Sequence, residues 1–398
     1  MKNILFIYSD EIVHKKVMMS SNIVFTKLLK AMTTDNICLL LFGSLPTKCH
    51  NVNYIQDINR IYTGINIALF KKIFFKLKMK SIFDLFEKKI LPSLFMYRIN
   101  KLVRKKKIDK LWFSANTHIM IPVIKKYISK YPIEYHMSIH DDHIYDVNIV
   151  EQQYDGYRND YICLMEGAKS VDLISPYMEK YYNEKYNMPE HICNIWAGYL
   201  DAENIPRIIV REPICKLAYV GSVQTVEEHE ILHASIDMIN KSGQYKSRIQ
   251  IDYFSHKYNI QRYRNLPDCV KHVEMCNNER LKEKLKEYDM LIIVMSFDQQ
   301  KAIQMTTSFP SKTLLYLATG VPILAIAPSY SSIIEFMKTC NCSLFCTDNT
   351  LNGMHEKLIT ILNDSNYVHK NTYKLYINSY KKLKISNNIN EFEGIVNI

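Results

Sequence analysis

"SFPSKTLLYLATGVPILAIAP", residues 308–328, decides the fold class of this sequence. A Pro-Ser-Lys step opens an apolar run with helical spacing, a Gly-Val-Pro stop ends it, and an apolar strand follows. Lys312 is the only charged residue in the stretch, and it falls in the first helical turn, where the helix dipole disfavours a cation. A charge that conflicts with its setting favours a functional role, so we predict a phosphate contact for Lys312. An ordinary surface lysine is the alternative.

Strand patterns of the same kind alternate with helical patterns along the whole chain. The apolar segments are residues 3–9, 37–43, 109–115, 133–139 and 171–175, and then 215–221, 248–254, 289–295 and 321–327. This alternation predicts two doubly wound Rossmann-like α/β domains, whose ligands bind at the carboxyl ends of the strands, in a central cleft that the domains face. A polar seam with two prolines covers residues 201–213. It predicts a first domain over 1–205 and a second over 206–398, with the last helix able to return to the first.

Composition limits the classes of protein that fit. The chain has 398 residues, 47% of them hydrophobic, which excludes wholesale disorder. The apolar run at the amino end is short and is interrupted by Asp10 and Glu11, unlike a signal peptide. The ten cysteines follow no framework, and no apolar run reaches the ~20 residues of a membrane span. We therefore expect a cytoplasmic protein with free thiols.

The net charge of +11 is concentrated in one segment. Residues 71–110 hold fourteen Lys and Arg but only three acids, interleaved with Phe, Leu, Ile and Met. Basic amphipathic helices of this composition favour the surface of an anionic membrane, here the inner face. A pair of solvated surface helices explains the pattern equally well. Nucleic acid is an unlikely partner, because no motif that reads bases is visible.

Neither a G-x-G-x-x-G nor a P-loop motif follows an opening strand, so a helix start is the expected phosphate site. Gly221 and Ser222 end the first strand of the second domain, where a glycine permits close approach of a ligand or simply forms a tight turn. Ser311 is placed either to cap the Lys312 helix or to bind the phosphate.

Residues 309–325 resemble the nucleotide-sugar-binding segment of two-Rossmann (GT-B) glycosyltransferases of the family 4 type. "KLAYVGSVQTVEEHEILHASIDMI", "IEYHMSIHDD" and "AKSVDLISP" are similar to three further parts of that family, in the same order. The resemblance implies a transferase that moves a sugar from a nucleoside diphosphate sugar to a hydroxyl of a glycan or lipid-linked acceptor, in glycan or cell-surface polysaccharide biosynthesis. It implies no cofactor and no metal. The donor-binding candidates are Gly221, Ser222, Ser308, Ser311, Lys312 and Thr313.

The chain also departs from the family pattern. Thr307 and Leu315 stand where that family carries two glutamates, and the loop after Gly221 lacks the usual Arg and Lys. These losses support one alternative, a catalytically degenerate scaffold that binds a nucleotide sugar. The other alternative is a nucleotide-sugar epimerase of similar build.

The acceptor-side candidates follow strands of the first domain. His118 comes just after the strand at 109–115, and His140 and Asp141 just after the strand at 133–139. A histidine there is suited to deprotonate an acceptor hydroxyl or to steady a departing phosphate, although a histidine hydrogen-bonded within its own loop is the commoner arrangement. The spacing of the cysteines in "CNCSLFC", residues 340–346, does not match a zinc site.

Overall fold

The computed structural model describes residues 2–9, 36–43, 61–66, 90–115, 120–142, 156–196, 214–223, 225–255 and 266–398, together with isolated residues between these ranges. The chain divides into two compact units. Unit 1 comprises Met1–Gly198 and Ser386–Ile398, and unit 2 comprises Tyr199–Ile385. The expected seam at 201–213 lies almost entirely outside the described residues.

Unit 1 is built on a seven-stranded sheet in the order β3-β2-β1-β4-β5-β6-β7. All neighbouring strands are parallel. The strands are β1 (Ile4–Ser9), β2 (Ile37–Gly43), β3 (Ile61–Asn66), β4 (Lys110–Ser114), β5 (Glu134–Ile139), β6 (Ser170–Leu173) and β7 (His191–Asn194). The strand order reverses beside β1, as it does in doubly wound folds.

The described helices of unit 1 precede, connect or follow these strands. They are α1 (Leu91–Lys106), α2 (Met120–Lys130), α3 (Tyr157–Glu166), α4 (Pro176–Lys185) and, at the far end of the chain, α12 (Ile385–Asn397). Pro176 begins α4 with the preset φ that suits a first helical turn, and the Ser175 hydroxyl accepts a hydrogen bond from Met178 N at 3.4 Å.

The core of unit 1 is aromatic around β1 and β4. Trp112 is fully buried and stacks on Phe6, with 3.8 Å between the ring centroids. Phe392 of α12 meets the Trp112 ring edge-on at 5.4 Å. Such pairs stabilise a fold by about 0.5–1.5 kcal/mol beyond the area they bury. The C-terminal helix therefore completes the core of unit 1.

Unit 2 is built on a six-stranded parallel sheet in the order β10-β9-β8-β11-β12-β13. Its strands are β8 (Ile214–Val220), β9 (Arg248–Phe254), β10 (Val270–Val273), β11 (Met290–Val294), β12 (Ile323–Ile326) and β13 (Phe345–Cys346). Its helices are α5 (Val226–Ser242), α6 (Asn278–Leu285), α7 (Ala302–Thr307), α8 (Lys312–Leu317), α9 (Ser332–Thr339), α10 (Leu351–Asn363) and α11 (Ser365–Leu383), with a 3-10 turn at Gln299–Lys301.

Both sheets confirm the predicted fold class of doubly wound α/β units. The inner strands are almost entirely buried, as the unbroken apolar runs of their sequences require. Because the strands of each sheet are parallel, their carboxyl ends lie along one edge, and the loops that leave this edge position the candidate residues.

Candidate functional site

The carboxyl edge of the unit 2 sheet brings three chain segments together. Strands β8, β11 and β12 are neighbours, so the residues that follow them leave the same edge. Gly221 follows β8, the Lys312 helix α8 comes after β11, and Ser331 follows β12. The sequence predicted the first two of these segments and missed the third.

Gly221 and Lys312 lie against each other at this edge. Gly221 has φ of +101°, a conformation that favours glycine, and its N–H donates to Phe254 O at 2.9 Å. A Cβ atom added at Gly221 would stand 3.8 Å from Lys312 Nζ. The glycine therefore forms the turn that the sequence predicted and also keeps the space beside the ammonium group open.

The Lys312 ammonium group rests on an aromatic ring. Its Nζ lies 3.8 Å from the centroid of Tyr219, which is within the range of a cation–π contact. The Tyr219 hydroxyl donates to Ser222 O at 2.7 Å, which fixes the ring beneath the ammonium group. Within the described part of the chain, Lys312 has neither a salt bridge nor a hydrogen bond from Nζ. Burial lowers the pKa of Lys312 to about 7, because no anion compensates for the loss of water.

Three hydroxyl groups beside this edge also lack partners within the described residues. They belong to Thr225, Thr313 and Ser331, which are 8%, 1% and 0% exposed. Thr225 and Ser331 stand immediately before α5 and α9, and neither side chain caps its helix. A buried hydroxyl without a hydrogen bond costs about 1–3 kcal/mol. An unpaired cation and three unpaired hydroxyls at one sheet edge are suited to an anionic, oxygen-rich ligand.

Ser308 and Ser311 are the remaining donor-side candidates. The Ser308 carbonyl accepts a hydrogen bond from the Ser332 hydroxyl. The capping alternative for Ser311 is wrong, because Ser311 already has helical φ and ψ of −58° and −26° and its side chain makes no cap bond. Lys312 is the first residue of its helix and so lies in the first turn, as the sequence predicted.

A buried polar cluster stands behind Tyr219. The Tyr253 hydroxyl lies 2.7 Å from His229 Nδ1 and 2.7 Å from His233 Nε2, and the His229 ring meets Tyr219 edge-on. Burial lowers the pKa of His233 to about 4 and that of His229 well below its ordinary value. Both imidazoles are therefore neutral near pH 7. Sequence reasoning missed this cluster, although histidines at an i, i+4 spacing on a helix were visible.

The acceptor-side candidates of unit 1 have different settings. His118 lies outside the described residues. His140 directly follows β5, is only 7% exposed, and stacks on Phe25 with the ring centroids 4.5 Å apart. Asp141 is exposed beside it. The alternative of a histidine bonded within its own loop is wrong for His140, because its Nε2 lies 2.7 Å from the carboxylate of Asp172 on β6.

Asp172 is a residue that sequence reasoning missed. It is fully buried, and its other carboxylate oxygen lies 2.8 Å from His136 Nε2 and also contacts the Ser138 hydroxyl. Burial by itself would raise the pKa of Asp172, but the charge of His140 and the hydrogen bonds of both imidazoles outweigh burial and lower it. The sequence did contain a signal, namely a charged residue within the strand "SVDL". Because burial of an unpaired carboxylate is costly, this residue indicates a buried polar partner.

The basic segment is described mainly through α1. Its buried side includes Phe95, Ile99 and Leu102, whereas Leu94 and Tyr97 are 39% and 65% exposed. The exposed cations beside them are Arg98, Lys101, Arg104, Lys105 and Lys107. We call this surface the basic face of α1. Most of residues 71–89 lie outside the described residues.

The described residues also bear on metal binding and on membrane insertion. No group of three or more His, Cys, Asp or Glu side chains is arranged there to hold a metal ion. None of the helices in that part of the chain is long and apolar enough to cross a bilayer.

Solved structures resemble the chain along its full length. TarM of S. aureus has a TM-score of 0.69 at 10% identity, with 100% of this chain and 99% of that chain covered. Anabaena HepE in complex with UDP and glucose has a TM-score of 0.66 at 11% identity, with 100% of both chains covered. Sucrose-phosphate synthase of Thermosynechococcus elongatus has a TM-score of 0.65 at 11% identity, with 99% and 98% covered. These structures share the GT-B fold.

The chain has the GT-B fold. No protein-family model matches its sequence, and a search of curated proteins finds no significant match. The predicted GT-B fold is thus confirmed. The roles of Gly221, Ser222, Ser308, Ser311, Lys312 and Thr313, and those of His118, His140 and Asp141, stay predictions.

Proposed function

We propose that this protein is a glycosyltransferase that moves a sugar from a nucleoside diphosphate sugar to a hydroxyl acceptor, in the synthesis of a glycan or a cell-surface polysaccharide. The observation that carries the proposal is Lys312, whose ammonium group has no anion beside it among the described residues. It lies against Gly221 at the carboxyl edge of a GT-B sheet. The HepE structure of the same fold contains UDP and glucose.

The diphosphate of the donor would bind at the carboxyl edge of unit 2. There the Lys312 charge would meet the diphosphate, and the Thr313 and Thr225 hydroxyls would gain the partners they lack. The lysine would stabilise the charge that builds on the diphosphate as its bond to the sugar breaks. The contact would raise the rate of transfer as well as bind the donor, because the charge on the diphosphate is greater in the transition state than in the bound donor.

The acceptor hydroxyl would be oriented by unit 1. In the transfer, the hydroxyl oxygen forms a bond to the anomeric carbon of the sugar, the bond from that carbon to the diphosphate oxygen breaks, and the hydroxyl proton leaves. His118, His140 and Asp141 are our predicted residues for orienting the hydroxyl and receiving its proton. No metal or other cofactor is part of the proposal, and the nucleoside diphosphate sugar serves as a substrate.

We also propose that the protein works on the inner face of an anionic membrane, as a peripheral cytoplasmic enzyme. The basic face of α1 supports this, since it combines exposed cations with the apolar side chains of Leu94 and Tyr97. A lipid-linked acceptor would then be within reach of the enzyme.

The test begins with a thermal-shift screen of nucleoside diphosphate sugars, in which a ligand at 100 times its Kd stabilises the protein by about 2.7 kcal/mol. The ligands that bind are then incubated with candidate glycan and lipid-linked acceptors, and the glycosylated product is measured. A change of the sugar nucleotide without any acceptor would identify an epimerase instead. Tight nucleotide binding without turnover on any acceptor would identify a scaffold.

A further inference from the structure

The ring of Tyr219 is the partner that the fold gives to the Lys312 ammonium group. Tyr219 lies in β8 and is only 2% exposed, and Lys312 Nζ stands 3.8 Å from its ring centroid. The face of an aromatic ring carries the negative part of its quadrupole, so it attracts a cation. Unlike a carboxylate, however, the ring has no net charge. It therefore stabilises the ammonium group without repelling an incoming phosphate.

Contacts at both the hydroxyl and the ring hold Tyr219 in place. The hydroxyl donates to Ser222 O at 2.7 Å, which ties the ring to the loop that follows Gly221. The His229 ring meets the Tyr219 ring edge-on, with 4.6 Å between the centroids. His229 is itself held, because its Nδ1 lies 2.7 Å from the Tyr253 hydroxyl. The plane of the Tyr219 ring is thus fixed before any ligand binds.

The other groups that face Lys312 do not supply a compensating charge. His229 on α5 is neutral, since burial is the main cause that holds its pKa well below the ordinary value. Tyr316 on α8 keeps its proton, because burial raises the pKa of its hydroxyl. The Glu228 carboxylate at the start of α5 accepts a hydrogen bond from Phe297 N at 2.7 Å. No acid of the described chain forms a salt bridge with Lys312, so the ring is its stabilising contact there.

Gly221 leaves room for a ligand beside the ammonium group. A Cβ atom at this position would stand 3.8 Å from Lys312 Nζ and 4.0 Å from its Cε. Because glycine has no side chain, that space stays open to a group that approaches the carboxyl edge of the sheet. A diphosphate in this space would meet Nζ without displacing the lysine from the ring.

We propose that Tyr219 is a positioning residue of the donor site, whose ring holds the Lys312 side chain in place and in its charged form, and keeps this contact when a donor diphosphate binds beside Gly221. This inference rests on the proposed transfer reaction, since it assigns a second residue to the donor side. Tyr219 touches no substrate and acts through Lys312. A cation that is already in place loses little freedom on binding, so the site is preorganised.

The contribution of the ring has a characteristic dependence on pH. Burial lowers the pKa of Lys312 to about 7. Loss of a cation–π contact away from water would lower this pKa by about one further unit. The charged fraction would then fall about tenfold at pH 8.5, from ~0.03 to ~0.003, but only from ~0.97 to ~0.8 at pH 5.5. A loss of affinity that acts through the charge is therefore large at high pH and small at low pH.

The first test is NMR on the ligand-free protein with carbon-13 in its lysines. The Lys312→Met variant identifies the signals of Lys312. Protons above the face of an aromatic ring are shifted upfield by the ring current. We therefore expect an upfield ε-methylene signal of Lys312 in the parent and in Tyr219→Phe, which keeps the ring, and an ordinary signal in Tyr219→Leu.

The same signal follows the contact when the donor binds. We expect the upfield shift to remain after addition of the nucleoside diphosphate sugar that the thermal-shift screen selects. An ordinary ε-methylene signal in the ligand-free parent would overturn the proposal, as would loss of the upfield shift in the complex. The parent and Tyr219→Phe decide this test even if Tyr219→Leu does not fold.

The second test measures the affinity for that nucleoside diphosphate sugar at pH 5.5 and 8.5. We expect Tyr219→Leu to bind it ~10-fold more weakly than the parent at pH 8.5 and less than about twofold more weakly at pH 5.5. Tyr219→Phe should stay within about twofold of the parent at both pH values, since it retains the ring face. An equal loss at both pH values would mean that Tyr219 only packs the site.

Tyr131→Leu is the matched control. Lys130 Nζ lies 5.4 Å from the centroid of the Tyr131 ring in unit 1, so this variant removes a second cation–π contact of the chain. It should change neither the Lys312 signal nor the affinity at either pH. Failure of the proposed function has its own signature, in which the upfield signal is present but no nucleoside diphosphate sugar binds the parent at any pH. Donor binding without the upfield signal would overturn the role of Tyr219 alone.

Discussion

The lowered pKa of Lys312 predicts that affinity for the donor depends on pH, over the pH range in which this lysine loses its proton. Its pKa is about 7 in the ligand-free protein, so the ammonium form is present in about half the molecules at that pH. A diphosphate binds the charged form, and binding should raise the pKa again. The apparent Kd is then the intrinsic Kd divided by the charged fraction, which falls from ~0.9 at pH 6 to ~0.03 at pH 8.5. We therefore expect affinity for a nucleotide sugar to weaken by roughly 30-fold over this range.

A nucleotide sugar is the right ligand for this experiment, because its diphosphate has no proton to lose between pH 6 and 8.5. His229, which lies behind Tyr219, stays neutral across the range because its pKa is already well below the ordinary value. Isothermal titration in two buffers of different ionisation enthalpy measures both affinity and proton uptake. We expect an uptake that approaches one proton per ligand at pH 8.5.

The Lys312→Met variant is the control, since it keeps the apolar stem and removes the charge. At pH 6 it should bind the nucleotide sugar at least ~10-fold more weakly, which corresponds to about 1.4 kcal/mol for a charge-assisted phosphate contact. It should lose the pH dependence, and binding of the bare nucleoside should not change. An equal fall in affinity with pH in parent and variant would refute the role of Lys312.

Three further predictions concern the stability effect of Lys312 and two other parts of the molecule. Lys312→Met should raise the melting temperature of the ligand-free protein, most below pH 7. The gain should shrink as pH rises from 7 toward 10.5, because the proton that the lysine must lose on folding is then held less tightly by the unfolded chain. Replacing the three lysines at 105–107 with Gln should weaken binding to anionic vesicles and reduce the salt dependence of that binding. Replacing the exposed lysines 271, 284 and 370 with Gln should change neither. Equal binding to neutral and anionic vesicles would contradict membrane attachment. Tyr253→Phe should destabilise the fold by ~1–3 kcal/mol in urea unfolding, since two buried imidazole nitrogens lose their partner, and no change would show that water replaces the hydroxyl.

The inner strands of both sheets were predictable from sequence, and the outer strands were not. The apolar run at 248–254 matches β9 residue for residue. The four strands absent from the prediction are β3, β7, β10 and β13, which are the edges of the two sheets. An edge strand is paired on one side only, so its sequence need not be a continuous apolar run. "VKHV" of β10 shows this, with its two central residues exposed.

The part of the candidate site that could be predicted from sequence is the part where a charged residue stands in an apolar segment. Lys312 stands out in an apolar helix, and the glycine that faces it follows a strand. Tyr219 and Asp172 could not be assigned a partner, because their partners lie far away in the sequence. The contact of Tyr219 with Lys312 joins β8 to α8, and that of Asp172 with His140 joins β6 to the end of β5. These pairs meet only in the folded sheets, where β8 lies beside β11 and β5 lies beside β6.

The return of α12 to unit 1 has a consequence for synthesis of the protein. A ribosome releases β4 and β6 long before it translates residues 386–398, since the whole of unit 2 is encoded between them. The buried ammonium group of Lys110 would meanwhile lack the Ile395 carbonyl, and Trp112 would lack its contact with Phe392. Domains usually fold in the order of their synthesis. Here we expect the nascent first unit to mature last, and a fusion tag that disturbs α12 to lower the yield through unit 1.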